Sequence, residues 1–96
     1  MTCRSPQFRL AAAIASLSTP TDVEEFLAEI LTPVELRKLI SRWELLELLE
    51  KGVSQRQIAA RLGLSLCKIT RGAKILKIDA SQSARLVRAA LKTEME

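Results

Sequence analysis

The chain of 96 residues contains no histidine and only two cysteines, Cys3 and Cys67, far apart in sequence. Without imidazoles or clustered thiolates there are no residues to make a zinc site. Two isolated cysteines do not form a disulfide framework, and their use fits a reduced cytosolic protein. Aromatic residues number three, Phe8, Phe26 and Trp43, and three Gly with three Pro are all the chain-breakers present. β-branched residues are scattered among abundant Ala and Leu, a mixture that suits helices rather than strands. No histidine, no Gly-rich phosphate loop and no catalytic polar constellation are present, so catalytic residues are not assigned and no enzyme is expected. The apolar run Leu10 to Leu17, preceded by Arg4 and Arg9, is too short to span a bilayer and has no A-x-A-like cleavage site. Its Leu10, Ile14 and Leu17 repeat at helical spacing, which predicts an amphipathic helix packed on the domain.

Acidic residues are also missing where basic ones concentrate. From Lys51 to Lys77 there are seven cations (Lys51, Arg56, Arg61, Lys68, Arg71, Lys74 and Lys77) and no carboxylate. From Asp22 to Glu50 eight acids outnumber Arg37, Lys38 and Arg42. The chain carries a net charge of +4. A basic module beside an acidic one suits a face that meets phosphate, although a solvated charged face has the same composition.

Length and composition predict one domain, residues 1–96, all-α with about six helices. Ser18-Thr19-Pro20-Thr21 ends the first helix and offers Thr21 as N-cap of a second, with Asp22, Glu24 and Glu25 in its first turn. Thr32, Pro33 and Glu35 form a capping box that starts a third helix, expected to run to about Lys51 and stop at Gly52. Its apolar residues exceed one stripe, which calls for cover on more than one side, by a partner chain or by the core of a monomer. Ser54 and Gln57 cap a short helix to Leu62, Gly63-Leu64 forms a turn, and Ser65 caps a helix to about Lys77. Asp79 to Ser83 supplies caps for a last helix in which Leu86, Ala89 and Ala90 share a face.

The spacing between Gln55 and Leu76 is that of a helix-turn-helix. Counting Gln55 as first, Ala59 is fifth, Gly63 ninth and Ile69 fifteenth. A small fifth residue lets the helices cross closely, a ninth Gly accepts positive φ in the turn, and the fifteenth joins Ile58, Leu62 and Leu64 in a small core. The second helix would enter the major groove by its first turns, so Leu66, Cys67, Lys68 and Thr70 are the candidates to face base edges. Gln55 and Arg56 are placed for phosphate or an adjacent base, and Lys74 and Lys77 for the backbone. Cys67 is either a small apolar contact or a redox-sensitive thiol.

Leu31-Thr32-Pro33, Arg42, Gly52, Ser54-Gln55-Arg56-Gln57-Ile58 and above all Ile69-Thr70-Arg71-Gly72 resemble the tryptophan repressor family, over roughly Leu31 to Lys77 with one residue fewer between Gly52 and Ser54. The resemblance implies an intertwined helical homodimer that binds palindromic operator DNA with L-tryptophan as co-repressor, in the cytoplasm of a bacterium. It also implies a ligand site. Arg42 and Arg71 would sandwich the indole, Thr32 and the carbonyl of Leu31 from the other chain would lie near the amino acid end, and Gly72 would leave room beside the ring. The chain departs from the family at two positions. Ile75 stands where a Ser faces the ligand's amino group, and Lys68 stands where the family has a Thr. The expected function is a sequence-specific transcriptional repressor dependent on this co-repressor. The alternatives are a ligand-independent DNA-binding repressor and a basic helical module that binds RNA or an acidic protein.

Overall fold

The computed structural model describes residues 5–95 and, among them, contains six helices and no strand. The cysteine at position 3 and the arginine at position 4, invoked above, lie outside the described residues. The helices are α1 (Pro6–Ala15), α2 (Pro20–Ile30), α3 (Pro33–Glu50), α4 (Gln55–Leu62), α5 (Leu66–Lys77) and α6 (Gln82–Met95). The chain divides into two compact units, the first ending at Leu36 and the second running from Arg37, so α3 begins in one and continues through the other.

In the first unit, short-range chemistry sets the helix starts. Ser5 caps α1 by accepting from the Phe8 N–H at 3.1 Å, with Pro6 following in the first turn. The cap of α2 is Thr19 rather than Thr21. Its Oγ1 accepts from the Asp22 N–H at 3.1 Å because Pro20, which has no N–H to satisfy, takes the first helical position. The shift leaves Asp22 alone of the three acids in the first turn. Neither α1 nor α2 holds a buried residue. α1 ends before Leu17, Leu10 is exposed, and Ile14 and Leu17 are half-buried, so the expected stripe has no buried member.

The start of α3 follows the expectation closely. The Thr32 N–H donates to Glu35 Oε1 at 2.9 Å, and the Glu35 N–H donates to Thr32 Oγ1 at 3.2 Å, which closes the capping box. At the other end, the Gly52 N–H donates to the Leu49 carbonyl at 3.1 Å and the Val53 N–H to the Leu48 carbonyl at 3.0 Å. This paired reversal is a Schellman motif, and it places Gly52 at φ +87°.

The second unit is built around Leu45, Ile58 and Ile69, with Leu48, Leu49, Val53, Ala59, Leu62 and Leu64 packed about them. α5 packs on α4 and on α6. α6 begins at a cap made by Ser81, whose Oγ accepts from the Ala84 N–H at 3.1 Å. Its buried face is Ala84, Val87 and Leu91, whereas Leu86, Ala89 and Ala90 share the exposed one. The exposed side also carries Gln82, Arg85, Arg88 and Lys92, so the small Ala84 and the aliphatic Val87 and Leu91 are the residues that pack inward.

Candidate nucleic-acid interface

The pair α4–α5 is fixed from inside by Ile58 and Ile69, both fully buried. Half-buried Ala59 packs against the same cluster, so the small fifth residue sits where the helices meet. Gly63 ends α4 at φ +65°, with its N–H on the Ala59 carbonyl. An L-residue pays about 1–2 kcal/mol for that left-handed conformation, which explains glycine at the ninth position. Ser54 and Ser65 accept from the N–H groups of Gln57 and Lys68 at 3.2 and 3.4 Å. Each cap leaves other first-turn N–H groups of its helix without an intrahelical acceptor.

With Ile69 turned inward, helical geometry turns Cys67, Lys68 and Thr70 away from the core, while Leu66, on the same side as Ile69, lies at the first residue of the helix beyond the packed core; all four are exposed. Leu66 is 60 % exposed, a large aliphatic side chain on the first turn of α5 beside Cys67 and Lys68. Gln55 and Arg56 are exposed on the first turn of α4, and Lys74 and Lys77 on the last turn of α5. All eight candidate nucleic-acid contacts are therefore exposed on this one helix pair. Lysines at the C-terminal end of α5 also suit the negative end of its dipole.

The candidate ligand residues fall in both units. In the second, Gly72 is buried, and a Cβ there would lie 3.0 Å from Leu45 Cδ2 and 3.3 Å from Leu49 Cδ1. The missing side chain therefore lets α5 approach α3, a packing role that is independent of any ligand. Arg42 stands one helical turn before Leu45 and is exposed, as is Arg71 beside Gly72, while Ile75 is half-buried. These residues flank the crossing of α5 on α3. In the first unit, Leu31 is the C-cap of α2, and Thr32 Oγ1 already accepts a hydrogen bond in the capping box. Its hydroxyl proton remains available to a ligand oxygen.

One contact has no counterpart in the sequence reading. Arg88 Nε donates to Glu50 Oε1 at 2.8 Å, and Arg88 Nη2 donates to the Leu76 carbonyl at 3.2 Å. The partners are 38 and 12 residues away, beyond any helical spacing rule. Among the described residues no group of three or more His, Cys, Asp or Glu side chains could hold a metal ion. No helix among them is long and apolar enough to cross a membrane.

The profile of the Trp repressor protein family matches residues 8–91, from α1 almost to the end of α6. The chain belongs to the Trp repressor family. A Trp operon repressor homolog of Xylella fastidiosa (strain M23) is 40 % identical over 76 residues, which covers 77 % of this chain and 83 % of that protein. One from Vibrio vulnificus (strain YJ016) is 42 % identical over 62 residues, 62 % of this chain and 61 % of that protein. One from Chlamydia caviae is 36 % identical over 64 residues, 66 % and 63 % of the two chains. No solved structure matches the chain. Trp repressor family proteins are transcriptional regulators and not enzymes. The family match extends beyond the segment Leu31 to Lys77 on which the resemblance rests, and takes in α1, α2 and α6.

Proposed function

We propose that the chain is a sequence-specific DNA-binding repressor, acting as a homodimer in the bacterial cytoplasm, with α4–α5 as its reading head. The observation that carries this reading is the exposed row Leu66, Cys67, Lys68 and Thr70 at the start of α5, set over buried Ile69 in a stretch without a carboxylate. Leu66, Cys67, Lys68 and Thr70 would face base edges, while Gln55, Arg56, Lys74 and Lys77 would hold phosphates. Two observations support a dimer. The helices α1 and α2 bury no residue, and Val34, Leu39 and Ile40 of α3 are 43–50 % exposed. A second copy with its own exposed apolar faces is a fitting cover.

L-Tryptophan is the proposed co-repressor, bound by Arg42 and Arg71 around the crossing of α5 on α3, with Gly72 and Ile75 beside it and Leu31 and Thr32 supplied by the other chain. The support for this ligand is the match of Arg42, Arg71 and Gly72 to the family's ligand site in the sequence resemblance. Such a ligand acts only if it binds the DNA-competent head arrangement more tightly than the other. Ile75 and Lys68 favour a second reading, a repressor that needs no ligand, because one removes a hydroxyl acceptor and the other adds a cation near the same crossing.

The deciding experiment is binding of the purified protein to its own upstream DNA at fixed moderate salt, with and without L-tryptophan. Specific binding that tightens with tryptophan supports the co-repressor reading. Specific binding indifferent to tryptophan leaves a ligand-independent repressor. Binding no better than to random competitor DNA refutes the reading-head assignment and favours a basic module that docks RNA or an acidic protein.

A further inference from the structure

Two helix C-termini meet at one guanidinium. α3 ends at Glu50 and α5 at Lys77, and the last carbonyls of each helix lack intrahelical donors and carry partial negative charge. Glu50 places a full negative charge at the negative end of its own helix, the unfavourable sign for a dipole. Arg88 answers both ends together, with Nε on the Glu50 carboxylate at 2.8 Å and Nη2 on the Leu76 carbonyl at 3.2 Å. It is anchored by its neighbour Val87, which is fully buried on α6. The fork therefore ties three helices of the second unit at one point. A lysine, with a single compact ammonium, does not reproduce two directed N–H bonds from a rigid plane.

The joined point lies at the far end of α5 from Leu66, Cys67 and Lys68. A helix of 12 residues is about 18 Å long. A tilt of about 5° at its C-terminal end moves its first turn by about 1.5 Å, larger than the roughly 0.5 Å tolerance of a preorganised site. We propose that Arg88 is a positioning residue, which holds the C-terminal end of α5 to the end of α3 and so sets the angle at which the first turn of α5 is presented to DNA. This rests on the reading of α5 as the DNA-reading helix.

Charge gives the test its sign. Glu50→Gln makes the protein more positive, so a field effect alone would tighten its grip on phosphate. Loss of positioning weakens specific binding instead. The Glu50 and Arg88 side chains are 26 % and 54 % exposed, so the pair is partly screened. At protein concentrations where circular dichroism reports full folding, Glu50→Gln and Arg88→Lys each weaken binding to the upstream DNA about two- to fivefold. Binding to random DNA does not weaken, and the double variant loses no more than the larger single loss. Specific binding that tightens or stays the same in Glu50→Gln overturns the proposal. Hydrogen exchange on the free protein decides independently of DNA. The amides in the last turn of α5 exchange about two- to fivefold faster in Glu50→Gln than in the parent, and unchanged exchange there overturns the proposal. If the parent protein itself shows no preference for its upstream DNA, the reading-head assignment falls, while the exchange result still reports whether Arg88 holds α5.

Discussion

Substituting Gly72 by alanine sets two opposed effects against each other in the interior of α5. Glycine inside a helix costs about 1 kcal/mol relative to alanine, so on propensity alone Gly72→Ala stabilises the protein by that amount. Against this stands the crossing of α5 on α3. The added Cβ lies 3.0 Å from Leu45 Cδ2 and 3.3 Å from both Leu45 Cγ and Leu49 Cδ1. Carbon pairs prefer about 3.5–4.0 Å, so the contacts must open by roughly half an ångström. Leu45 is 4 % exposed and enclosed by the core cluster, which leaves it little freedom to move. Overpacking of this kind costs about 1–3 kcal/mol. The net expectation is a loss of about 0–2 kcal/mol, read by urea unfolding as a lower midpoint with an unchanged slope. Repeating the substitution on Leu45→Val, which removes the carbon at 3.0 Å, relieves the clash and turns the effect of Gly72→Ala neutral or favourable. A stabilisation near 1 kcal/mol in the parent background refutes the close-packing explanation of this glycine.

Ala80 occupies the left-handed region at φ +64°, so Ala80→Gly relieves strain and stabilises by up to about 1 kcal/mol, visible as a Tm higher by several degrees. Gly63→Ala meets no atom within 4 Å, so its cost of about 1–2 kcal/mol comes from the backbone alone, and Gly63→Asn recovers part of it in the same denaturation assay. Arg56→Ala lowers the slope of log affinity against log salt by about one unit on any DNA sequence, since its proposed contact is with phosphate. A change confined to the specific sequence would instead make Arg56 a base-reading residue.

Most helix ends were legible because capping is local. Thr32 with Glu35, Ser54 and Ser65 are each recognisable within four residues and behave as their spacing requires. Thr19 and Thr21 show the limit of that logic, since either can cap and the proline between them decides. The turn at Gly63 and the inward Ile58 and Ile69 were equally legible, and with them the exposure of Leu66, Cys67, Lys68 and Thr70. On α6 the sequence grouped Leu86, Ala89 and Ala90 on one face, but that this face is exposed and Ala84, Val87 and Leu91 are buried is decided by the packing surface of the second unit. Gly72 carried a local signal but not its reason, which lies on α3. The bond between Arg88 and Glu50 joins residues that share no periodicity, and no pattern in one sequence announces it.

That α1 and α2 bury no residue bears on how the folded protein persists at low abundance. Isolated helices of 10 and 11 residues are marginal in water, so this part of the chain depends for its order on whatever covers it. If the cover is a second copy, dilution acts on the N-terminal helices as heat does, and their melting temperature rises with protein concentration. The number of molecules in the cell then sets more than operator occupancy. Below a threshold abundance the chains would then lose their N-terminal order along with their partner, so synthesis rate and folded fraction would become one coupled quantity.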